Sequence, residues 1–195
     1  MDRRHFITAA LGAAVAAAAT PAWAKLYYNP DTNQWEERTV TSNGRGHYTP
    51  IPRSQVSYDG KYRAGTVIVE TSERRLYLVQ PGGTALRYGI GVGRDGFRWS
   101  GQHSITRKAE WPGWTPPAEM RRRVPDLPAY MPGGPDNPLG ARELYIGATL
   151  YRIHGTSEPW TIGQAVSSGC IRLTNEDIID LYDRVKVGSL VVVHQ

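Results

Sequence analysis

The reading of the chain turns on Tyr151 to Asn175, YRIHGTSEPWTIGQAVSSGCIRLTN. This stretch holds the single cysteine of the sequence, Cys170, and a histidine, His154, sixteen residues upstream. Thr149 to His154 reads as a strand. By the two-residue period, Leu150, Arg152 and His154 share one face, and Tyr151 and Ile153 the other. His154 therefore falls at a strand end, where a side chain is held rigidly. The polar and small residues that follow read as a loop, and Gly169 sets a turn directly before the cysteine. A thiol in a glycine turn with a histidine on the preceding strand is a candidate nucleophile and base, because the chemistry needs the two side chains adjacent in space and not in sequence.

Cysteine usage points the same way. Structural cysteines of exported proteins come in pairs. A lone one is a reactive thiol, half of an intermolecular bridge or a small buried hydrophobe. The Ser-Ser-Gly-Cys setting downstream of His154 favours the reactive thiol. A zinc site is a poor reading, since one cysteine and scattered histidines do not supply three or four ligands. A papain-type order is disfavoured because there the cysteine precedes the histidine.

The same residues resemble the signature of the L,D-transpeptidase (YkuD-like) catalytic domain: His154-Gly155, a spacer, then Ser167-Ser168-Gly169-Cys170-Ile171-Arg172-Leu173-Thr174-Asn175. The resemblance extends over roughly residues 64 to 194 and includes Asn137-Pro138-Leu139-Gly140. Two places depart from the family pattern. Ser168 stands where the family usually has a second histidine. Phe97 to Ile105 replaces the family's usual Thr-Pro-x-Gly turn.

Around this centre the chain divides into three parts. Residues 1–24 have a charged start, an alanine-rich middle and a small-residue cleavage pattern, Ala22-Trp23-Ala24, as a signal peptide should. Arg3-Arg4 within it resembles a twin-arginine export signal, so the expected destination is the periplasm. An ordinary secretory signal or an uncleaved anchor are the alternatives. No other apolar run approaches the ~20 residues of a membrane helix, so the mature chain is not expected to span a membrane. Residues 25–62 carry turn signals without a sustained period and read as mostly irregular, or as a linker to the envelope. Residues 63–195 form the expected catalytic domain.

Within that domain, Thr66–Glu70, Arg74–Val79 and Thr84–Val92 read as an antiparallel meander. Glu143–Ile146 is a further strand, and Ser189–Val193 a buried closing one. Thr174-Asn175-Glu176-Asp177 is a helix start of the capping-box type. Ile178, Leu181, Tyr182 and Val185 follow at helical spacing, with Gly188 as the stop. The expected fold is mainly β, an L,D-transpeptidase-like mixed sheet or sandwich with one late α-helix and a long proline-rich loop. That loop, 112–138, holds eight of the fourteen prolines, which deny regular ladders their amide donors. A short helical turn fits near Glu119–Arg123. Trp111, Trp114 and Tyr130 favour an ordered loop, read as a lid or wall of a cleft. Arg121-Arg122-Arg123 is either a contact for acidic substrate groups or a solvated charged face. His103 reads as a half-exposed strand histidine without a chemical role.

The net charge of +5 falls to +4 once Asp2, Arg3 and Arg4 leave with the leader. This mild excess suits an acidic polymer, and without a basic stripe with interleaved aromatics nucleic acid is not an expected partner. For the chemistry, His154 is the expected general base and Cys170 the nucleophile, whose reactive form is the thiolate. Backbone N–H groups of the Ser168-Gly169-Cys170 turn are candidate oxyanion donors, each commonly contributing ~3 kcal/mol to lowering a barrier. Arg172 offers a fork for a substrate carboxylate, or else forms a structural ion pair. The resemblance implies that the Gly155 carbonyl orients His154. It also implies peptidoglycan stem peptides as substrate, with release of D-alanine and transfer of the acyl group to an amine, another stem peptide or in some relatives an envelope lipoprotein. No cofactor or metal is expected. Hydrolysis by an L,D-carboxypeptidase or cross-link-cleaving relative, and a non-catalytic wall-binding module, are the rival readings.

Overall fold

The computed structural model describes residues 23–29, 34–40, 51–95 and 99–195. The leader read over 1–24 lies outside these, apart from Trp23 and Ala24, which open the first strand. β1 (Trp23–Asn29) and β2 (Gln34–Val40) pair antiparallel as a separate two-stranded sheet. β3 (Ser54–Ser57) pairs with β6 (Thr84–Gly89) of the main sheet. Both features fall in the segment expected to be mostly irregular. β3 shows why it escapes notice: it is four residues long, and only Ser54 and Val56 turn away from solvent.

The meander is present as expected. β4 (Val67–Glu70), β5 (Arg75–Gln80) and β6 pair antiparallel in sequence order. The third strand is shorter than the apolar pattern predicts. It leaves the main sheet after Gly89, and Val92–Gly93 continues as β7, paired parallel with β11 (Ala165–Ser167). Gly89 permits the departure, since a Cβ there would lie 2.5 Å from the Ile51 side chain.

β8 (Gly101–Glu110), β9 (Arg142–Ile146), β10 (Arg152–His154), β12 (Ile171–Arg172) and β13 (Leu190–His194) complete a nine-stranded sheet in the order β12-β10-β9-β8-β13-β4-β5-β6-β3. It is mixed: β13 runs parallel to β4, and β12 parallel to β10. β13 sits centrally, and its three valines are buried irrespective of face. That is what a continuous apolar run predicts for a strand covered on both sides. β8 is the longest strand, yet Ile105 is its one fully buried residue. Beyond the strand setting read at His103, its sequence is too polar to mark the extent of the strand.

The short helix α1 (Ala118–Arg123) occupies the proline-rich loop, where Trp114 and Met131 exchange backbone hydrogen bonds of 2.8 Å. Buried Asn137 staples the loop's end, its amide donating to the Met131 and Pro132 carbonyls and its oxygen accepting from Leu139 N–H. The late helix α2 (Asn175–Arg184) starts where the capping signal placed it, with Thr174 Oγ1 accepting the Asp177 N–H at 3.2 Å. Its Ile178 and Leu181, with Val185 just beyond its end, join Leu144, Ile146, Ile153, Ile171 and Leu173 in the core. The helix ends before the predicted glycine stop. Lys108 of β8 caps it instead, its ammonium donating to the Tyr182 and Val185 carbonyls. Gly188, at φ +91°, turns the chain into β13. Among the described residues no helix is long and apolar enough to cross a membrane.

Candidate active site

The parallel pair β10–β12 brings the two halves of the quoted stretch together. Ile153 faces Ile171 and His154 faces Arg172 in register, and the ladder continues with Leu173 N–H donating to the His154 carbonyl at 2.9 Å. On the other flank, β9 sets Glu143 opposite His154 and Tyr145 opposite Arg152. Residues directly opposite share a face, so Glu143, His154 and Arg172 form one row across three strands. Leu144, Ile153 and Ile171 turn to the other face and into the core. Cys170 directly precedes β12 and is only partly buried, while His154 is 4% exposed. Apolar alternation thus fixes which way the chemical side chains point.

The imidazole is oriented by its own chain. Nδ1 lies 2.6 Å from the Gly155 carbonyl. A carbonyl only accepts, so Nδ1 carries the proton and Nε2 presents its lone pair. Gly155 must be glycine for reasons of space. A Cβ there would lie 2.4 Å from Asn175 Oδ1 and 3.0 Å from both Ala141 N and Ile178 Cγ2. Asn175 Oδ1 in turn accepts the Ala141 N–H at 2.9 Å, and Gly155 N–H donates to the Arg142 carbonyl. Gly140, at φ +64°, meets the same amide oxygen. The start of α2, the end of the proline-rich loop and the residue after the histidine therefore close on one another.

Burial pushes the His154 pKa down to about 3, helped by the Arg172 and Arg152 charges and opposed by the Gly155 hydrogen bond. Burial also pushes the Cys170 thiol above its ordinary value, against the lowering effect of the Arg152 backbone N–H and of the two arginine charges. Both shifts favour the neutral forms, so the resting pair is thiol and imidazole rather than thiolate and imidazolium.

The turn before β12 is pinned peptide by peptide. Ser167 O accepts from Arg94 N–H at 3.0 Å. Ser167 Oγ accepts from Gly169 N–H at 3.2 Å and donates to the Cys170 carbonyl. Gly169, at φ +106°, adopts a conformation that side chains resist. Of the three candidate donors in the Ser168-Gly169-Cys170 turn, Gly169 N–H is thus engaged by Ser167. The N–H groups of Ser168 and Cys170 make no backbone or side-chain hydrogen bond among the described residues.

Arg172 donates from Nη1 to Glu158 Oε2 at 3.2 Å, so the ion-pair role holds at one end of its fork, while its buried Nε has no partner among the described residues. Arg152 pairs with buried Glu143 at 3.2 Å. His103 lies half-buried on β8, edge-on to Trp99, as a strand histidine should. Arg121 and Arg122 are exposed on α1. Trp99, Glu143, Arg152, Glu158 and Asn175 all shape the site without having been singled out as site residues. Only Asn175 carried a sequence signal, as the last position of the motif. The others become neighbours through strand pairing and loop return. Among the described residues no group of three or more His, Cys, Asp or Glu side chains converges as a metal site requires.

The fold is a mixed sheet in which the strand that ends at His154 pairs in parallel with the strand that begins directly after Cys170. The profile of the L,D-transpeptidase catalytic domain (YkuD) matches residues 64–193, and the chain belongs to that family. It is 44% identical over 154 residues to the probable L,D-transpeptidase ErfK/SrfK of Escherichia coli K12, covering 75% of this chain and 48% of the relative. It is 42% identical to the probable L,D-transpeptidase YbiS of the same organism, covering 64% and 43%. The chain spans about half the length of these curated relatives. Among solved structures, a Brucella melitensis protein described as a probable carnitine operon oxidoreductase CaiA matches at 44% identity and TM-score 0.52, covering 75% of this chain and 96% of that one. The catalytic domain of Enterococcus faecium L,D-transpeptidase, solved acylated by ertapenem, shares the fold at TM-score 0.52 and 19% identity, covering 69% and 100%.

Proposed function

We propose that the protein is a peptidoglycan L,D-transpeptidase working through Cys170 and His154. The observation that carries the reading is the Nδ1–H···O bond from His154 to Gly155, on a strand paired in register with the strand that Cys170 opens. It leaves Nε2 as the only basic nitrogen. In acylation, the thiol proton passes to Nε2 as sulfur adds to the carbonyl of the stem's diamino-acid residue. The tetrahedral oxyanion collects at the Ser168 and Cys170 N–H groups. The C–N bond then breaks, and the imidazolium returns its proton to the departing D-alanine amine. In deacylation, an acceptor amine attacks the thioester, gives its proton to Nε2, and the thiol is regenerated. Because the resting pair is neutral, His154 acts as a true general base, and the ion pair exists only on the reaction path. Ser168 contributes through its backbone, which the loss of the family's histidine side chain leaves intact. Arg172 is the substrate-carboxylate contact, and the loop 112–138 is a wall of the cleft.

The protein acts in the periplasm after export of residues 1–24, on stem peptides or on a lipoprotein acceptor. Mass spectrometry of stem tetrapeptides incubated with the enzyme tests the reading. Dimers lacking one D-alanine are the expected product. Tripeptides alone would mean hydrolysis, and an unchanged substrate would leave a wall-binding module.

A further inference from the structure

We infer that Trp99 is a positioning residue for acylation, holding the Cys170 backbone N–H in place as an oxyanion donor; the inference rests on the acyl-transfer reading above. Trp99 Nε1 donates to the Gly169 carbonyl at 2.9 Å. That carbonyl and the Cys170 N–H are the two ends of one peptide unit, and in a trans peptide they point in opposite directions. Fixing the oxygen therefore fixes where the N–H points. The unit needs fixing because glycine on its N-terminal side restrains it weakly, and because Ser167 secures only the peptide units before and after it. The Cys170 N–H makes no hydrogen bond of its own among the described residues, as a donor awaiting a transient oxyanion must. A hydrogen bond accepted at one end of a peptide also polarises the donor at the other.

The indole is itself held. It stacks on Tyr151 with centroids 4.4 Å apart and planes 8° from parallel, and meets His103 edge-on at 5.7 Å. Tyr151 leads directly into the strand that carries His154. One side chain thus couples the turn of the nucleophile to the strand of the base. It lies in the stretch where the sequence departs from the family's usual turn, so the motif does not point to it.

The test compares wild type, Trp99→Phe and a variant with 3-benzothienylalanine placed at 99 by codon suppression. The latter keeps the stacked ring but replaces N–H with sulfur. Two reactions of Cys170 are timed for each: acylation by ertapenem, which builds an oxyanion, and alkylation by iodoacetamide, which does not. The expected result is ertapenem acylation slowed about tenfold or more in both variants, short of the hundredfold or greater cost of deleting a donor. Alkylation should stay within about twofold and the melting temperature of the benzothienyl variant should be unchanged. A merely structural role would move both reactions together or neither. Acylation by the benzothienyl variant within about twofold of wild type overturns the inference. Failure of wild type to form any Cys170 adduct would instead overturn the acyl-transfer reading itself.

Discussion

Cys170 and His154 carry opposite pKa shifts with one cause, removal from water, and this makes their pH behaviour testable. The thiolate absorbance near 240 nm, taken against Cys170→Ala, should rise only above the ordinary thiol range. A thiolate already present at pH 6 would show that the pair rests ionised and that burial has been misjudged. The histidine also leaves a mark on stability. Between about pH 3 and its ordinary 6.5, the unfolded chain holds a proton on residue 154 that the folded chain does not. Folding stability contributed by this site therefore rises with pH across that window, by about 1.4 kcal/mol per unit. It is complete above pH 6.5. In His154→Gln, denaturant titrations at pH 4.5 to 6.5 should show a slope shallower by about that amount; an unchanged slope would contradict a buried neutral imidazole. The same substitution at the chemical step, or His154→Ala, should slow acylation by roughly two to four orders of magnitude. Ser168→Ala should cost far less, because position 168 is assigned a backbone role. Equal losses in the two variants would show the groups misassigned.

At the scale of elements, strands β10 and β12 are too short to hold a site alone, and α2 secures them. Asn175 Oδ1 ties the start of the helix to Ala141 and packs against Gly155. Asn175→Ala would leave the Ala141 N–H without its acceptor, at a cost of about 1–3 kcal/mol. Gly155→Ala would set a Cβ 2.4 Å from the Asn175 amide oxygen and 3.0 Å from Ala141 N, and should lower activity more than stability, since it moves the carbonyl that orients His154. Thermal melts beside acylation rates separate the two effects, and a Gly155→Ala enzyme of wild-type activity would sink the orienting role. At the other end of α2, Lys108 is the cap. Lys108→Met keeps a long unbranched side chain and loses the two carbonyl contacts and the ammonium over the Tyr182 ring. A loss of about 1–2 kcal/mol without change in the acylation rate is expected.

For the whole molecule, the boundary between leader, N-terminal segment and catalytic domain matters most. β3 shields the outer edge of β6, and Arg53, just before it, reaches Asp180 at 2.9 Å and Asp177 at 3.7 Å on α2. Tyr88, fully buried, donates to the same Asp180 at 2.7 Å. A chain starting at residue 63 should therefore melt lower than one starting at 51 and should aggregate more readily through the bared edge. Equal melting temperatures would return β3 to the linker. If export uses the twin-arginine route, replacing Arg3 and Arg4 with lysine should hold precursor in the cytoplasm, and normal export of that variant would exclude that route.

Patterns a few residues long were legible because their physics is local. Val-Ile-Val runs had to be strands, Thr174 had to cap a helix, and a glycine-turn cysteine after a strand histidine had to be weighed as a nucleophile. Membership of the family followed from that motif. What the sequence did not determine depends on residues far apart in the chain. β8 is polar because its neighbours, not its own pattern, make it a strand. Lys108 ends α2 from 74 residues away, and Trp99 reaches Gly169 across 70. Burial sets the protonation of Cys170 and His154, and burial is a property of the packed fold. Local torsional and hydrophobic preferences are written residue by residue. Close approach, orphaned donors and desolvation arise only when strands from both halves of the chain share one sheet.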